Sequence, residues 1–394
     1  MAVIHLLVLL VFSACLFTVA YTLFFSVAGH LYRKHDFSNK EIYKKIAVLI
    51  PAYREDEIIL QNSRHALLQN YPSHFFDLYV IADSLKEETL RELRKLPLKV
   101  ITVSFEVSTK ARALHEAFKS IPNSYDLAVI LDADHLMQPG FLDKINRAAV
   151  SGCYAIQGRR MTRTRDSRNA VLEGISDEVN NHILRKGQAC AGLSASITGS
   201  GMAFSFLYLR QVMSEIEASG GFEKELEMTL VDDNHKVVYL DDAVVLDEKV
   251  YKPDTFTHRH TRFLASQLLN LKKYFLRGVY HLFTGRIDYA NKVMQFALIP
   301  KVFLLGTLLG MFILSLLFNE LAPGPLVWAL LAFVYLVSYA MAIPAAYWNR
   351  KLLMAMLNIP RKALHQIRDG LGIKSPNGKL IDASPDRQFE KTTA

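Results

Sequence analysis

The chain has 394 residues, 51% apolar and 21% charged, with 46 Lys and Arg against 38 Asp and Glu for a net charge of +8. That is enough for one sizeable α/β domain plus membrane segments, and too apolar in patches for a disordered chain. Three cysteines without paired spacing exclude a disulfide scaffold, and no CxxC or Cys/His cluster points to structural zinc. The basic excess alone leaves nucleic acid, acidic lipid and a phosphorylated substrate open.

From Ala2 to Gly29 the sequence carries no Lys, Arg, Asp or Glu. Roughly 20 such residues already cross a hydrocarbon core of about 30 Å. A secretory signal would place its basic residues before the apolar run, whereas Arg33, Lys34 and Lys40 follow it, so residues 1–31 read as an N-terminal transmembrane anchor.

Beyond the anchor, β-rich runs alternate with helical stretches. Strands are expected at 46–50, 78–81, 100–103 and 127–131, and helices at 57–69, 86–96 and 109–120. That rhythm predicts an α/β domain with a mainly parallel sheet and crossover helices. Ligands of such sheets bind beyond the carboxyl ends of the strands. Those ends carry Pro51-Ala52-Tyr53-Arg54-Glu55-Asp56-Glu57, then Asp83, then Asp132-Ala133-Asp134-His135. Carboxylates in these places suit Mg²⁺ or Mn²⁺, or hold a ribose or base edge by hydrogen bonds. Helix capping would explain any single Asp, but explains the set of three strand ends less well.

Lys110 opens a predicted helix where it could meet a diphosphate, or simply lie on a solvated face. Gly199-Ser200-Gly201-Met202-Ala203-Phe204 lacks the third glycine of a dinucleotide fingerprint, leaving close backbone approach to a substrate at Gly201 as its use. Between Gly220 and Met228 stand Glu223, Glu225 and Glu227 at a loop-to-helix junction. One of them could take a proton from a nucleophile, although acids also favour a helix N-terminus. Arg259-His260-Thr261-Arg262-Phe263 combines two guanidiniums with an aromatic ring, suited to phosphate or lipid headgroups.

Leu264, Leu268, Leu271, Phe275 and Tyr280 then recur at near-helical spacing opposite Lys272, Lys273 and Arg277. Residues 262–295 therefore read as an amphipathic helix at the membrane interface, or as an ordinary packed helix. Apolar runs at about 297–318 and 325–348 form a hairpin, 296–348, whose short link carries no basic residue. Arg277, Arg286 and Lys292 before it and Arg350 and Lys351 after it place 32–261 and the tail 349–394 in the cytosol. Lys301 is expected to snorkel at the inner end of the second span. Nucleic-acid binding is disfavoured, because the basic residues cluster at membrane flanks.

In order, Pro51-Ala52-Tyr53-Arg54-Glu55, Ile81-Ala82-Asp83, Lys110 with Ala113-Leu114, Asp132-Ala133-Asp134, Gly199-x-Gly201-Met202, Glu225-Leu226-Glu227 and Arg259-x-x-Arg262-Phe263 resemble the membrane-bound family 2 glycosyltransferases over about 46–267. This family includes cellulose, chitin and hyaluronan synthases and bacterial polysaccharide and glycolipid transferases. The resemblance implies a GT-A nucleotide-sugar-binding domain with about three transmembrane helices and an interfacial helix. It implies base contacts from Asp83 and the turn of Pro51, Ala52, Tyr53 and Glu55. Asp134 would bind Mg²⁺ or Mn²⁺, with Asp132 on the metal or the ribose, and Lys110, Arg259, Arg262 and Phe263 would surround the diphosphate and acceptor.

Glu225 falls where the family has its catalytic acid. Lys224 replaces the usual acidic partner and Phe263 the usual Trp, which keeps Glu223 and Glu227 open as the base. The implied activity is inverting transfer of a hexose or N-acetylhexosamine from a nucleotide-diphosphate sugar to a glycan or lipid-linked acceptor at the cytosolic face of a membrane, expected to be a bacterial inner membrane. A partner membrane or export protein would fit that setting. An inactive scaffold binding nucleotide sugar or a partner synthase is the alternative. The sequence offers no Ser-His-Asp or Cys-His arrangement that would suggest a covalent intermediate.

Overall fold

The computed structural model describes residues 2–37, 41–162, 168–216, 221–247, 255–318, 320–348 and 352, with residues 2, 168–169 and 255–265 as backbone alone. Two compact units emerge. One comprises the described parts of 1–32, 166–193 and 251–381, the other those of 33–165 and 194–250.

In chain order, α1 (Ala2–His30) belongs to the first unit, and the α/β unit follows. Its first half is β1 (Ile46–Tyr53), α2 (Ile59–Ala66), β2 (Phe76–Asp83), α3 (Glu87–Arg94), β3 (Lys99–Val103), α4 (Lys110–Ser120) and β4 (Leu127–Ile130). Next come β5 (His135–Met137), α5 (Phe141–Val150) and β6 (Ala155–Thr162). The chain then enters the first unit as α6 (Arg168–Asn181), continues through a π-helical stretch, His182–Gly187, and ends in α7 (Gln188–Cys190). It returns with β7 (Met202–Ser205), α8 (Phe206–Glu215), α9 (Phe222–Asp232) and β8 (Val237–Asp247). Last are α10 (Thr255–Phe283), α11 (Ile287–Ala297), α12 (Lys301–Leu317) and α13 (Pro325–Ala342).

The eight strands form one sheet in the order β3-β2-β1-β4-β7-β6-β8-β5. As expected, β1 to β4 are parallel neighbours joined by crossover helices; the apolar runs of β1, β2 and β4 are buried on both faces, while β3 forms a partly exposed edge. In the far half β6 and β8 are also parallel, and the antiparallel pairings of a mixed sheet join them. There β7 runs antiparallel to β4 and β6, and β5 antiparallel to β8, so the sheet as a whole is mixed. Strands of three and four residues are too short to show a period in the sequence.

Ile46, Val48 and Ile50 of β1, Leu78 and Val80 of β2, and Val129 pack with Ile59, Phe141 and Ile145 of the covering helices. Two buried amides pin the segment after β4 to this core. Asn62 Nδ2 donates to the Ala133 carbonyl at 2.7 Å, and Gln69 Nε2 to those of Met137 and Gln138 at 3.3 and 3.2 Å.

In the first unit, α1 and α13 are each long and apolar enough to cross a membrane; α11 and α12 pass the same test only jointly, bent by 61°. The expected second span thus starts late, at Lys301, because Pro300 supplies no N–H to continue α11. The third ends at Ala342, before Ile343-Pro344. The Lys301 ammonium donates to Asn180 Oδ1 at 2.7 Å.

The 32–261 region is interrupted, since 166–193 groups with the apolar helices. Several of the buried polar groups there bond to one another. Tyr21 donates to Asn291, Asn291 to Gln188 and Gln188 back to Tyr21, at 2.9, 2.6 and 2.9 Å, a closed ring that lets polar side chains lie among apolar helices. At Gly187 a Cβ would stand 2.2 Å from the Phe25 carbonyl, so only glycine permits that approach to α1.

Across 262–295 the chain forms α10 and α11. Gln267 donates to the Phe296 and Leu298 carbonyls and Gly278 abuts Val293, packing α10 on α11, while Leu268, Leu269, Phe275, Leu276, Tyr280 and Phe283 stay exposed. The tail 349–394, apart from residue 352, lies outside the described residues.

Asn62→Ala leaves the buried Ala133 carbonyl without its amide donor. The expected loss is about 1–3 kcal/mol, read as a lower thermal unfolding midpoint of the full-length protein.

Candidate active site

Because β2, β1 and β4 are adjacent and parallel, their carboxyl ends share one sheet edge. Pro51, Ala52 and Tyr53 lie beside Ile81, Ala82 and Asp83 in register. Immediately after the two strands, Arg54 and Ser84 take left-handed conformations, with φ of 53° and 55°. Backbone strain of this kind concentrates at functional sites. The Arg54 N–H donates to the Asp83 carbonyl at 3.1 Å, tying the turns together. Asp83 is buried and accepts from Ser84 Oγ at 3.0 Å; Glu55 is exposed. Asp56 accepts from the Lys86 N–H and from Thr89 Oγ1, holding the first turn against the start of α3.

After β4, the charges meet. Thr109 caps α4 by accepting from the Arg112 N–H, which sets Lys110 at the first helical position. Its ammonium pairs with Asp132 Oδ1 and donates to the Gly199 carbonyl at 2.5 Å. Burial pushes the Asp132 carboxyl up, but Lys110, His135 and Arg160 outweigh it and hold that group below the usual carboxylate range. The Asp132 N–H donates to Ser200 Oγ at 2.9 Å, and Ser200 Oγ lies 2.6 Å from His135 Nδ1.

One donor atom each from Asp132, Asp134 and His135 falls within a 4.8 Å cluster. His135 is fully buried, and its Nε2 has no hydrogen-bond partner. A buried, orphaned imidazole nitrogen beside two carboxylates is a donor set that fits a divalent cation.

The glycine loop divides its roles. Gly199 presents its carbonyl to Lys110, and a Cβ there would stand 2.7 Å from Glu223 Oε1, so the Glu223 carboxylate sits against this loop. Gly201 instead spends both backbone groups inside the sheet. Its N–H donates to Ile130 and its carbonyl accepts from Gly158, while φ of +62° and Val245 at 2.7 Å require glycine. It shapes the strand at this point.

On α9, Glu227 is buried and accepts from Lys224 at 2.8 Å, and Glu225 is half-buried. The side chains of Arg259, Arg262 and Phe263 lie outside the described residues; the helix that carries their backbone belongs to the other unit.

Sequence reasoning missed Gln157, Ser200, Arg160 and Asp247. Gln157 Oε1 accepts from the Thr198 N–H and its Nε2 donates to the Gly158 and Ser200 carbonyls, fixing the glycine loop. Arg160 pairs with Asp247 at 2.5 Å. Ser200, His135 and Asp247 do form the row that the sequence did not reveal, but all three are buried and Ser200 Oγ already accepts from the Asp132 N–H, so the row positions groups and offers no nucleophile. The one available signal was a histidine directly following Asp-Ala-Asp.

Residues 44–266 match the family model described as Glycosyltransferase like family 2, and the chain belongs to that family. Its α/β unit has the GT-A fold. Among solved structures, a mannosyltransferase from Pyrobaculum calidifontis, in complex with GDP-Man and Mn²⁺, is 14% identical; the match covers 92% of this chain and 99% of that one, with a TM-score of 0.56. Glucosyl-3-phosphoglycerate synthase from Mycobacterium tuberculosis, in complex with Mn²⁺, UDP and phosphoglyceric acid, is 15% identical over 66% of this chain and 80% of that one, with a TM-score of 0.39. No curated protein sequence matches the chain.

Ser200→Ala removes the acceptor of the Asp132 N–H and the partner of His135 Nδ1 together. A stability loss of about 1–3 kcal/mol is expected, checked by thermal unfolding of the intact protein.

Proposed function

We propose that the protein is an inverting glycosyltransferase that moves a hexose or N-acetylhexosamine from a nucleotide-diphosphate sugar to a polysaccharide or lipid-linked acceptor at the cytosolic face of a membrane. The observation that carries this reading is the meeting of Lys110, Asp132, Asp134 and the Gly199 loop at the sheet edge next to Asp83. The relatives' Mn²⁺, GDP-Man and UDP support the same donor class.

Displacement at an anomeric carbon has two requirements: a base for the acceptor hydroxyl and positive charge for the departing diphosphate. The Pro51–Glu55 turn and Asp83 would receive the nucleotide base. Lys110 has three donors, two of them engaged, which leaves one for the diphosphate. Mg²⁺ or Mn²⁺ held by Asp134 and His135 would neutralise the charge that develops on that leaving group.

A Glu carboxylate takes the hydroxyl proton as the acceptor oxygen bonds to the anomeric carbon. The bond from that carbon to the diphosphate oxygen breaks on the opposite face, with inversion. Motif position favours Glu225 as this base; geometry favours Glu223, whose carboxylate lies against the loop that Lys110 grips.

α1, α13 and the bent pair α11–α12 would anchor the chain as an integral membrane protein. The exposed apolar residues of α10, with Lys272, Lys273 and Arg277 nearby in the sequence, suit a helix at the headgroup level. A lipid-linked acceptor or an export partner would meet the protein there.

Incubating the purified full-length protein with a panel of nucleotide sugars, acceptor lipids and Mn²⁺ or Mg²⁺ should release free nucleoside diphosphate for at least one donor. Asp134→Asn should abolish that release while its circular dichroism stays unchanged. Undiminished release by Asp134→Asn would remove the metal from the reaction, and no release for any donor would favour an inactive scaffold.

Glu223→Gln should lower kcat by roughly 10²–10⁴-fold without weakening donor binding, and Glu225→Gln should do so much less. The reverse pattern would return the base to Glu225.

A further inference from the structure

The proposed reaction uses Lys110 on the departing diphosphate and a Glu on the acceptor hydroxyl, and one residue touches both. Lys110 donates to the Gly199 carbonyl, and the Glu223 carboxylate lies beside Gly199. What orients Gly199 is the amide of Gln157. Resting on the reading of Lys110 as a contact to the donor diphosphate, we propose that Gln157 is a positioning residue of the donor site. It fixes the 198–200 turn so that the Gly199 carbonyl keeps the Lys110 ammonium in place.

The need for such a clamp follows from the sequence. Gly199 and Gly201 flank Ser200 with φ of +82° and +62°, and glycine's torsional freedom leaves the Gly199 carbonyl without a direction of its own. Thr198 Oγ1 donates to the Ser200 carbonyl at 3.2 Å, a bond within the turn that cannot orient it against the sheet. The strand register supplies a contact that can. Gln157 of β6 is the direct antiparallel partner of Met202, the first residue of β7, so it stands where the turn enters the sheet.

The side chain is fully buried, and each of its polar groups is engaged at this turn. Oε1 accepts from the Thr198 N–H at 2.9 Å, while Nε2 donates to the Ser200 carbonyl at 3.1 Å and to that of Gly158 at 2.8 Å. The reverse orientation of the amide would set a donor against an N–H and an acceptor against two carbonyls. Gln157 therefore grips the turn one residue before Gly199 and one residue after it. Methionine would keep the chain length without either bond.

The consequence falls on Lys110. Its ammonium ends a flexible four-carbon stem and has acceptors on two different segments, Asp132 after β4 and Gly199 before β7. Two such acceptors hold the end of the stem in one place and aim its third N–H. With Asp132 alone, the stem swings about a single contact. The Phe222 ring, 5.8 Å from the ammonium, adds attraction but sets no hydrogen-bond direction.

The competing account is that Gln157 only satisfies the turn and contributes to stability. Two measurements on the full-length protein separate the two. The first is acetic anhydride labelling of the ligand-free protein, read by mass spectrometry. In the unaltered protein Lys110 should acetylate more slowly than the exposed Lys95, a readout that depends on no variant folding. In Gln157→Met, labelling of Lys110 should rise about threefold or more while that of Lys95 stays the same.

The second is calorimetry in Mn²⁺ with UDP and GDP against UMP and GMP. The affinity advantage of diphosphate over monophosphate should fall about tenfold in Gln157→Met, and Gln157→Met added to Lys110→Met should cause no further loss. Gln157→Glu keeps the acceptor for Thr198 but loses both donors, and should behave as Gln157→Met does; it serves where the methionine variant does not fold. A purely stabilising residue would lower the unfolding midpoint and leave both the labelling and the affinity ratio unchanged. Lys110 labelling as fast as Lys95 in the unaltered protein, an unchanged ratio in a folded variant, or full additivity with Lys110→Met overturns the assignment. Should neither UDP nor GDP bind the unaltered protein, the donor reading fails, while the labelling still decides whether Gln157 holds Lys110.

Discussion

The ammonium of Lys110 is the constraint around which the candidate site is organised. It joins the start of α4, the end of β4 and the loop before β7, three segments with no reason in sequence to meet. Ionised carboxylates at a half-buried sheet edge are costly unless paired. Lys110 compensates Asp132, and Arg160 compensates Asp247. The Gly199 carbonyl takes that contact while the Glu223 carboxylate lies on its other side, and the residue's φ of +82° favours glycine there. Lys110 therefore joins His135 and Arg160 in holding the Asp132 carboxyl low, and it also bonds the loop facing it.

Half of this arrangement was legible in the sequence. The expected strands and helices between 46 and 131 coincide with β1 to β4 and α2 to α4 to within a few residues, because apolar runs buried on both faces leave a plain trace. Asp83, Asp132 and Asp134 were singled out by standing at strand ends, a rule that needs only the order of elements. The other half depends on contacts between distant segments. Gln157, Ser200 and Asp247 reach the site from β6, the glycine loop and the far end of β8, through pairings between segments distant in the chain, whose partners a single sequence does not reveal. That the N–H and carbonyl of Gly201 both bond within the sheet was likewise hidden from the sequence.

The passage of the chain into the apolar unit between β6 and β7 was equally hidden. Ser176, Asp177, Glu178, Asn180, Asn181 and Arg185 give that stretch the composition of a solvated surface helix. Glu178, Asn181 and Arg185 are nevertheless buried, and so is the nearby Gln188. What makes this tolerable is mutual satisfaction, as in the closed ring of Tyr21, Asn291 and Gln188 and the bond from Arg185 to Asn181 at 2.7 Å. Polarity of composition predicts exposure only when a residue's partners are unknown.

Charge balance gives a final reason to tie the donor to a cation. Around His135 stand the carboxylates of Asp132, Asp134 and Asp247, with Lys110 on Asp132 and Arg160 on Asp247, and Asp83 adds a further carboxylate at the neighbouring strand end. A nucleotide diphosphate is itself an anion and gains little by approaching such an edge alone. With a divalent ion between carboxylates and phosphate the sign reverses, and Lys110, already anchored, adds to the attraction. The acids that look like a liability for binding an anionic donor thus become the reason that donor and cation bind together.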